Sequence, residues 1–176
     1  MPTEGRTGIR AATADDCAEI ADIFGHYAVS SVATFEEKPL PVPEWKAKLA
    51  GITGNGLPFL VAEAADRVIG YAYAAPWRPK PAYRHTVEDT VYLNPGWTGR
   101  GLGGQLLTEL LTRSARAGAR QMVAVIADSG DGPSATLHRR LGFTDAGRLT
   151  AVGFKHGRWI DTFLLQRDLT TWPETA

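Results

Sequence analysis

Apolar and polar residues alternate along Thr86–Leu93. Val87, Val91 and Leu93 fall on one face, and Glu88, Thr90 and Tyr92 on the other. A period of two predicts a strand, here with one polar face. Leu102, Leu106, Leu107, Leu110 and Leu111 recur at helical spacing, and Gly118 marks the end of that helix. A shorter stripe of Cys17, Ile20, Phe24 and Tyr27 follows a helix-start signal at Thr13–Asp16. Ile9–Ala12 reads as a short strand. Phe59–Ala64 and Val68–Ala74 read as a hairpin about Asp66-Arg67, and Met122–Ala127 as a buried strand.

Proline and glycine punctuate the rest. Pro43 opens a short helix carrying Trp45 and Leu49, and Gly51 to Gly56 reads as a turn. Pro76–Pro81 is too proline-rich for a helix or a central strand. Ser134–Leu141 is a short helix closed by Gly142-Phe143, after a loop at Asp128–Pro133. Leu149–Phe154 and Trp159–Leu165 are two strands about the turn His156-Gly157. The order implies an α+β or mixed α/β fold on one central sheet. Its 176 residues favour a single domain, with residues 1–8 and 170–176 as loose termini.

Composition narrows the function classes. The 19 basic and 19 acidic residues cancel, so there is no global electrostatic case for nucleic acid or an anionic membrane as partner. Cys17 stands alone, which excludes an intrachain disulfide and suits a reducing, cytoplasmic setting. Met1 to Gly8 has no apolar signal core, and no apolar run approaches membrane-spanning length. No histidine pair has metal-ligand spacing, so no metal is expected.

The stretch between the alternating strand and the leucine helix is the most informative. Asn94 to Gly104 holds five glycines: Gly96, Gly99, Gly101, Gly103 and Gly104. Glycine lets backbone amides approach a ligand, and a helix start presents unpaired N–H groups to an anion such as a diphosphate. Gln105 follows the last glycine, where a nucleotide-hydrolysing loop needs Lys and then Ser or Thr. The acidic residue of a dinucleotide fingerprint is also out of place, since Asp128 comes late after the next strand.

Thr98–Gly103 resembles the Q/R-x-x-G-x-G/A loop of the GNAT superfamily of acetyl-CoA-dependent acyltransferases, with Thr in the first position. Ala135–Phe143 is similar to that superfamily's A-x-x-L-Y-x-x-x-G-F stretch, with His138 in place of tyrosine. Pro76-Trp77-Arg78, Ala82-Tyr83-Arg84, Thr86-Val87-Glu88, Val123–Ile126 and Gly153–Trp159 resemble the phosphinothricin and methionine sulfone/sulfoximine N-acetyltransferases. The resemblance spans Ile9 to Leu169 and implies a mixed, partly split sheet flanked by helices. It also implies acetyl-CoA as co-substrate, a small amino-acid-like amine as acceptor, and a homodimer.

The chemistry needs a base for the ammonium, a donor for the thioester carbonyl and a partner for the leaving thiolate. Glu88 lies on the polar face of the strand leading to the glycine loop, and the resemblance implies it as the base. A strand-edge ion pair with Arg84 is the bland alternative. His138 either protonates the thiolate, orients the substrate or serves structure alone. The resemblance implies Val91, Tyr92 and Leu93 for the acetyl and pantetheine contacts. It implies Gly99, Arg100, Gly101, Leu102, Gly103 and Gly104 for the diphosphate, and it puts Asp131 where the family has an asparagine for the pantetheine arm; an aspartate accepts there but does not donate, and Ser134 is the alternative contact. Arg78 and Lys80 suit the acid groups of a zwitterion, and Phe35, Tyr83 and Tyr92 its chain. The rivals are a protein N-terminus or polyamine as acceptor, and a non-catalytic acyl-CoA sensor.

Overall fold

The computed structural model describes residues 7–130 and 132–173. Strand β1 (Gly8–Ala11) leads through a 3-10 turn at Ala14–Asp16 into α1 (Cys17–Ser30), and α2 (Val42–Gly54) follows. The hairpin is β2 (Phe59–Ala64) and β3 (Arg67–Pro76), and the alternating strand is β4 (Thr86–Leu93). The leucine helix α3 (Leu102–Arg116), strand β5 (Gln121–Ala127) and helix α4 (Pro133–Arg140) come next. A last hairpin, β6 (Thr144–Lys155) and β7 (Arg158–Asp168), completes a seven-stranded sheet ordered β1-β2-β3-β4-β5-β7-β6. Only β4 and β5 run parallel; the other neighbours are antiparallel.

Side-chain size along β3 explains how helices cover both faces of the sheet. Ala72 and Ala74 join the core under α3, whereas Tyr71 and Tyr73 join the core under α1 and α2. The small side lets α3 come close: a Cβ on Gly70 would meet Leu93 Cδ2 at 2.5 Å and Leu106 Cδ1 at 3.2 Å. The five predicted leucines of α3 are all buried, each contributing about 1.5–3 kcal/mol of transfer free energy. On the other face, Cys17, Ile20 and Phe24 of α1 pack with Trp45 and Leu49 of α2 over the tyrosines. Cys17 is thus a core thiol, 0% exposed.

The structure corrects several boundaries. Helix α2 runs on to Gly54, so the turn begins only at Asn55. Ile52, buried in the α2 core, explains why helix persists across Gly51. Strand β6 starts at Thr144, earlier than Leu149, and carries a register shift between Leu149 and Gly153 that broke the period-two signal. The termini are less loose than expected. Gly8 already pairs with Glu63, and Trp172 packs on the core while its indole N–H donates to Thr112 Oγ1 at 3.0 Å. Residues 1–6 and 174–176 of the expected loose ends lie outside the described residues. Among the described residues, no helix is long and apolar enough to cross a membrane.

Candidate active site

The site begins where β4 loses a neighbour. At one end of the β3–β4 ladder the Asn94 amide donates to the Ile69 carbonyl; at the other the Trp77 amide donates to the Thr86 carbonyl. Residues of an antiparallel strand alternate between facing one neighbour and facing the other. The even-numbered residues of β4 therefore commit their backbone to β3, and Val91 and Leu93 turn theirs toward β5. The parallel pairing with β5, however, stops at Glu88↔Val123. Beyond it the two strands are split. The Tyr27 hydroxyl takes one exposed acceptor, donating to the Leu93 carbonyl at 2.6 Å.

A cavity of about 650 Å³ occupies the split. On the α1–α2 side it is lined by Phe35, Lys48, Tyr73, Glu88 and Tyr92. On the α3–α4 side it is lined by Thr98, Gly99, Gly101, Gly103, Gly104 and Ser134. The first turn of α3 has no side-chain cap, and its Ncap Gly101 is left-handed with φ 79°. A Cβ on Gly99 or Gly101 would meet nothing within 4 Å, so these glycines serve backbone conformation and open access rather than internal packing. Uncapped amides beside an open groove form an anion site suited to a diphosphate. The Thr98 hydroxyl donates to the Pro95 carbonyl at 3.1 Å.

Glu88 is half-buried on the polar face of β4. Burial pushes its carboxyl above the usual glutamate range, the neighbouring charge of Asp89 adds to the rise, and Arg78 opposes it. Pleating turns Asp89 to the opposite face, where it is buried against α4. Its Oδ2 accepts from His138 Nε2 at 2.7 Å, and His138 Nδ1 meets the Ser134 carbonyl at 2.7 Å. A protonated ring donates to both oxygens at once. Burial alone would lower the imidazole pKa, but the bonds to Asp89 and Ser134 raise it overall. The pair is buried and ties α4 to β4.

This arrangement agrees with what the chain is similar to. A family model described as an acetyltransferase (GNAT) domain matches residues 9–164. The chain belongs to the GNAT acetyltransferase family. It is 45% identical over 170 residues to a phosphinothricin N-acetyltransferase of Alcaligenes faecalis, covering 94% of this chain and 86% of that one. It is 40% identical over 162 residues to an L-methionine sulfoximine/L-methionine sulfone acetyltransferase of Pseudomonas paraeruginosa, covering 92% and 94%. Among solved structures, a GNAT superfamily phosphinothricin acetyltransferase of Sinorhizobium meliloti in complex with AcCoA superposes with a TM-score of 0.87. It shares 46% identity, with coverage of 92% of this chain and 88% of that one.

Within this GNAT domain the residues expected from sequence separate into two groups. Glu88, Val91, Tyr92, Leu93, Gly99, Gly101, Gly103, Gly104, Ser134, His138 and Phe35 all line the one cavity. Tyr92 does so by its side chain, since its amide faces β3. Leu102 is core, 3% exposed, and only its amide belongs to the helix start. Arg100 lies over the Trp97 ring and Arg78 over the Trp77 ring, at 4.7 and 4.6 Å. Neither they nor Lys80 and Tyr83 line the cavity; Tyr83 is 44% exposed. Arg78 reaches the site only through its field on Glu88. Asp131 lies outside the described residues.

Several contributors escaped the sequence reading, Lys48, Tyr73, Asp89, Tyr27 and Val125 among them. Asp89 interrupts the apolar face of Val87, Val91 and Leu93, and a carboxylate in that setting requires a partner. That signal was present. Tyr27 read as a core aromatic, and nothing local marks its hydroxyl for the Leu93 carbonyl. Val125 read as part of a buried strand but is 41% exposed, because β5 lacks β4 beside it there.

Proposed function

We propose that this GNAT domain moves the acetyl group of acetyl-CoA to the α-amine of a small amino-acid-like substrate, such as phosphinothricin or methionine sulfone/sulfoximine. One observation carries the reading: Glu88 and the uncapped glycine-rich start of α3 line the same cavity through the β4–β5 split. The names of the relatives supply the acceptor class. Bound acetyl-CoA supplies the activated thioester. The start of α3 holds the diphosphate through backbone amides. Glu88 accepts the proton of the acceptor ammonium, directly or through a water, and burial raises its basicity for that task. An amide of Val91 or Leu93 meets the charge that develops on the thioester oxygen. The positive field of Arg78, felt at Glu88, favours an acceptor that carries acid groups, and Lys80 on the same loop adds to it. With both ring nitrogens engaged, His138 holds α4 to β4.

The protein is proposed to act as a homodimer in the cytoplasm. Leu149, Val152, Phe154 and Trp159 of the last hairpin are exposed apolar residues in need of cover. The lone thiol suits a reducing compartment.

A thiol-release assay with acetyl-CoA tests the function. The acceptor panel holds phosphinothricin, methionine sulfone, methionine sulfoximine, ordinary amino acids and spermidine. Turnover is expected on the sulfone, sulfoximine or phosphinate amino acids. Glu88→Gln is expected to lose about 100- to 10,000-fold in kcat, with acetyl-CoA binding retained by calorimetry. Turnover on spermidine alone, or acetyl-CoA binding without any turnover, overturns the reading in favour of a polyamine enzyme or an acyl-CoA sensor.

A further inference from the structure

Phe35 forms part of the cavity wall although it sits on an irregular segment between α1 and α2. What holds it lies about 120 residues away, on β6. Lys155 Nζ donates to the Thr34 carbonyl at 2.8 Å and to the Glu36 carbonyl at 2.7 Å, gripping the backbone on both sides of Phe35. The ammonium is buried, with Lys155 only 3% exposed. A buried cation persists only where acceptors compensate it. Two residues earlier on the same strand, Gly153 leaves the space that the Phe35 ring fills. A Cβ there would lie 2.3, 2.5 and 2.8 Å from three of its ring carbons. A third bond, Tyr92 hydroxyl to Ala33 carbonyl at 3.3 Å, joins the segment to β4.

We propose that Gly153 and Lys155 are specificity-determining positioning residues: together they set how deep Phe35 stands in the acceptor cavity, and so which acceptor side chains fit. This rests on the acceptor reading above. Glycine is required for its missing Cβ, and lysine for a donor long enough to bridge two carbonyls. Neither residue lines the cavity, so their effect passes through Phe35. The acceptor wall is affected, while the α3 amides that would hold the cofactor are untouched.

The test compares Gly153→Ala, Lys155→Met, Phe35→Ala and the Gly153→Ala/Phe35→Ala double variant in steady-state kinetics. Hydrogen exchange of residues 31–40 and of α3 is followed on the same proteins. Gly153→Ala and Lys155→Met are expected to raise the acceptor KM about tenfold or more, with the acetyl-CoA KM within about twofold. Exchange should quicken in 31–40 and stay unchanged in α3. In the Phe35→Ala background, Gly153→Ala should add nothing. Unchanged acceptor KM and exchange overturn the proposal. So do parallel rises of both KM values with faster exchange throughout, which mark general destabilisation. An additive double variant removes Gly153 from it. If the wild-type protein acetylates no amine of the panel, the acceptor reading falls. Exchange of 31–40 in Lys155→Met and Gly153→Ala then decides whether β6 holds the segment.

Discussion

Glu88 and Asp89 are neighbours in β4 with opposite duties. Pleating sends Glu88 to the half-buried cavity side and Asp89 into the packing against α4. For Glu88, burial and the Asp89 charge raise the carboxyl pKa against the opposing Arg78. The acid limb of the kcat/KM–pH profile is therefore expected above the ordinary glutamate range. Arg78→Gln removes the opposing charge and should move that limb further up, as rate measurements across the acid range would read. His138 has a raised folded-state pKa. Its stabilisation is thus fully present below the ordinary imidazole value of about 6.5 and is lost as pH rises through the folded value. Melting curves from pH 6 to 9 should show the wild type losing stability over that window, with His138→Gln lacking this step. Asp89→Ala leaves the buried His138 Nε2 without its partner and should cost about 1–3 kcal/mol in urea unfolding.

At the scale of elements, the contact between β3 and α3 positions the site. Gly70 lets Leu93 and Leu106 fold over the sheet, and Leu93 is one of the β4 residues that line the cavity. Gly70→Ala is expected to destabilise by about 1–3 kcal/mol through overpacking. It should also raise the acetyl-CoA KM, because Leu93 must shift; urea unfolding and kinetics check the two effects. The outline of α3, β4 and the first hairpin was legible because each has one buried face with a regular period. The outlines of α2 and β6 were less so. Gly51 and Gly54 resemble turn residues until Ile52 is seen packing in the α2 core. The register shift in β6 hides its alternation.

Across the whole molecule, the last hairpin forms the edge of the sheet and leaves Leu149, Val152, Phe154 and Trp159 exposed. Covering them is the physical argument for a dimer. Sedimentation at micromolar concentration is expected to show twice the 19.0 kDa chain mass. Trp159→Ser with Val152→Ser should shift the protein toward monomer. A monomeric wild type would overturn this expectation.

The sequence by itself determined the order of elements, the glycine loop before an amphipathic helix, and Glu88 on a polar strand face. These are local properties, readable from period and residue type. Only the tertiary structure decided that β4 parts from β5 after Glu88, that Asp89 pairs with His138, and that Lys155 holds the segment bearing Phe35. It also decided that Lys80 and Tyr83 stand outside the cavity. The sheet order brings residues 49 and about 120 positions apart into hydrogen-bond contact. No period along the chain encodes such partners; they follow from which strands pair and where the pairing stops.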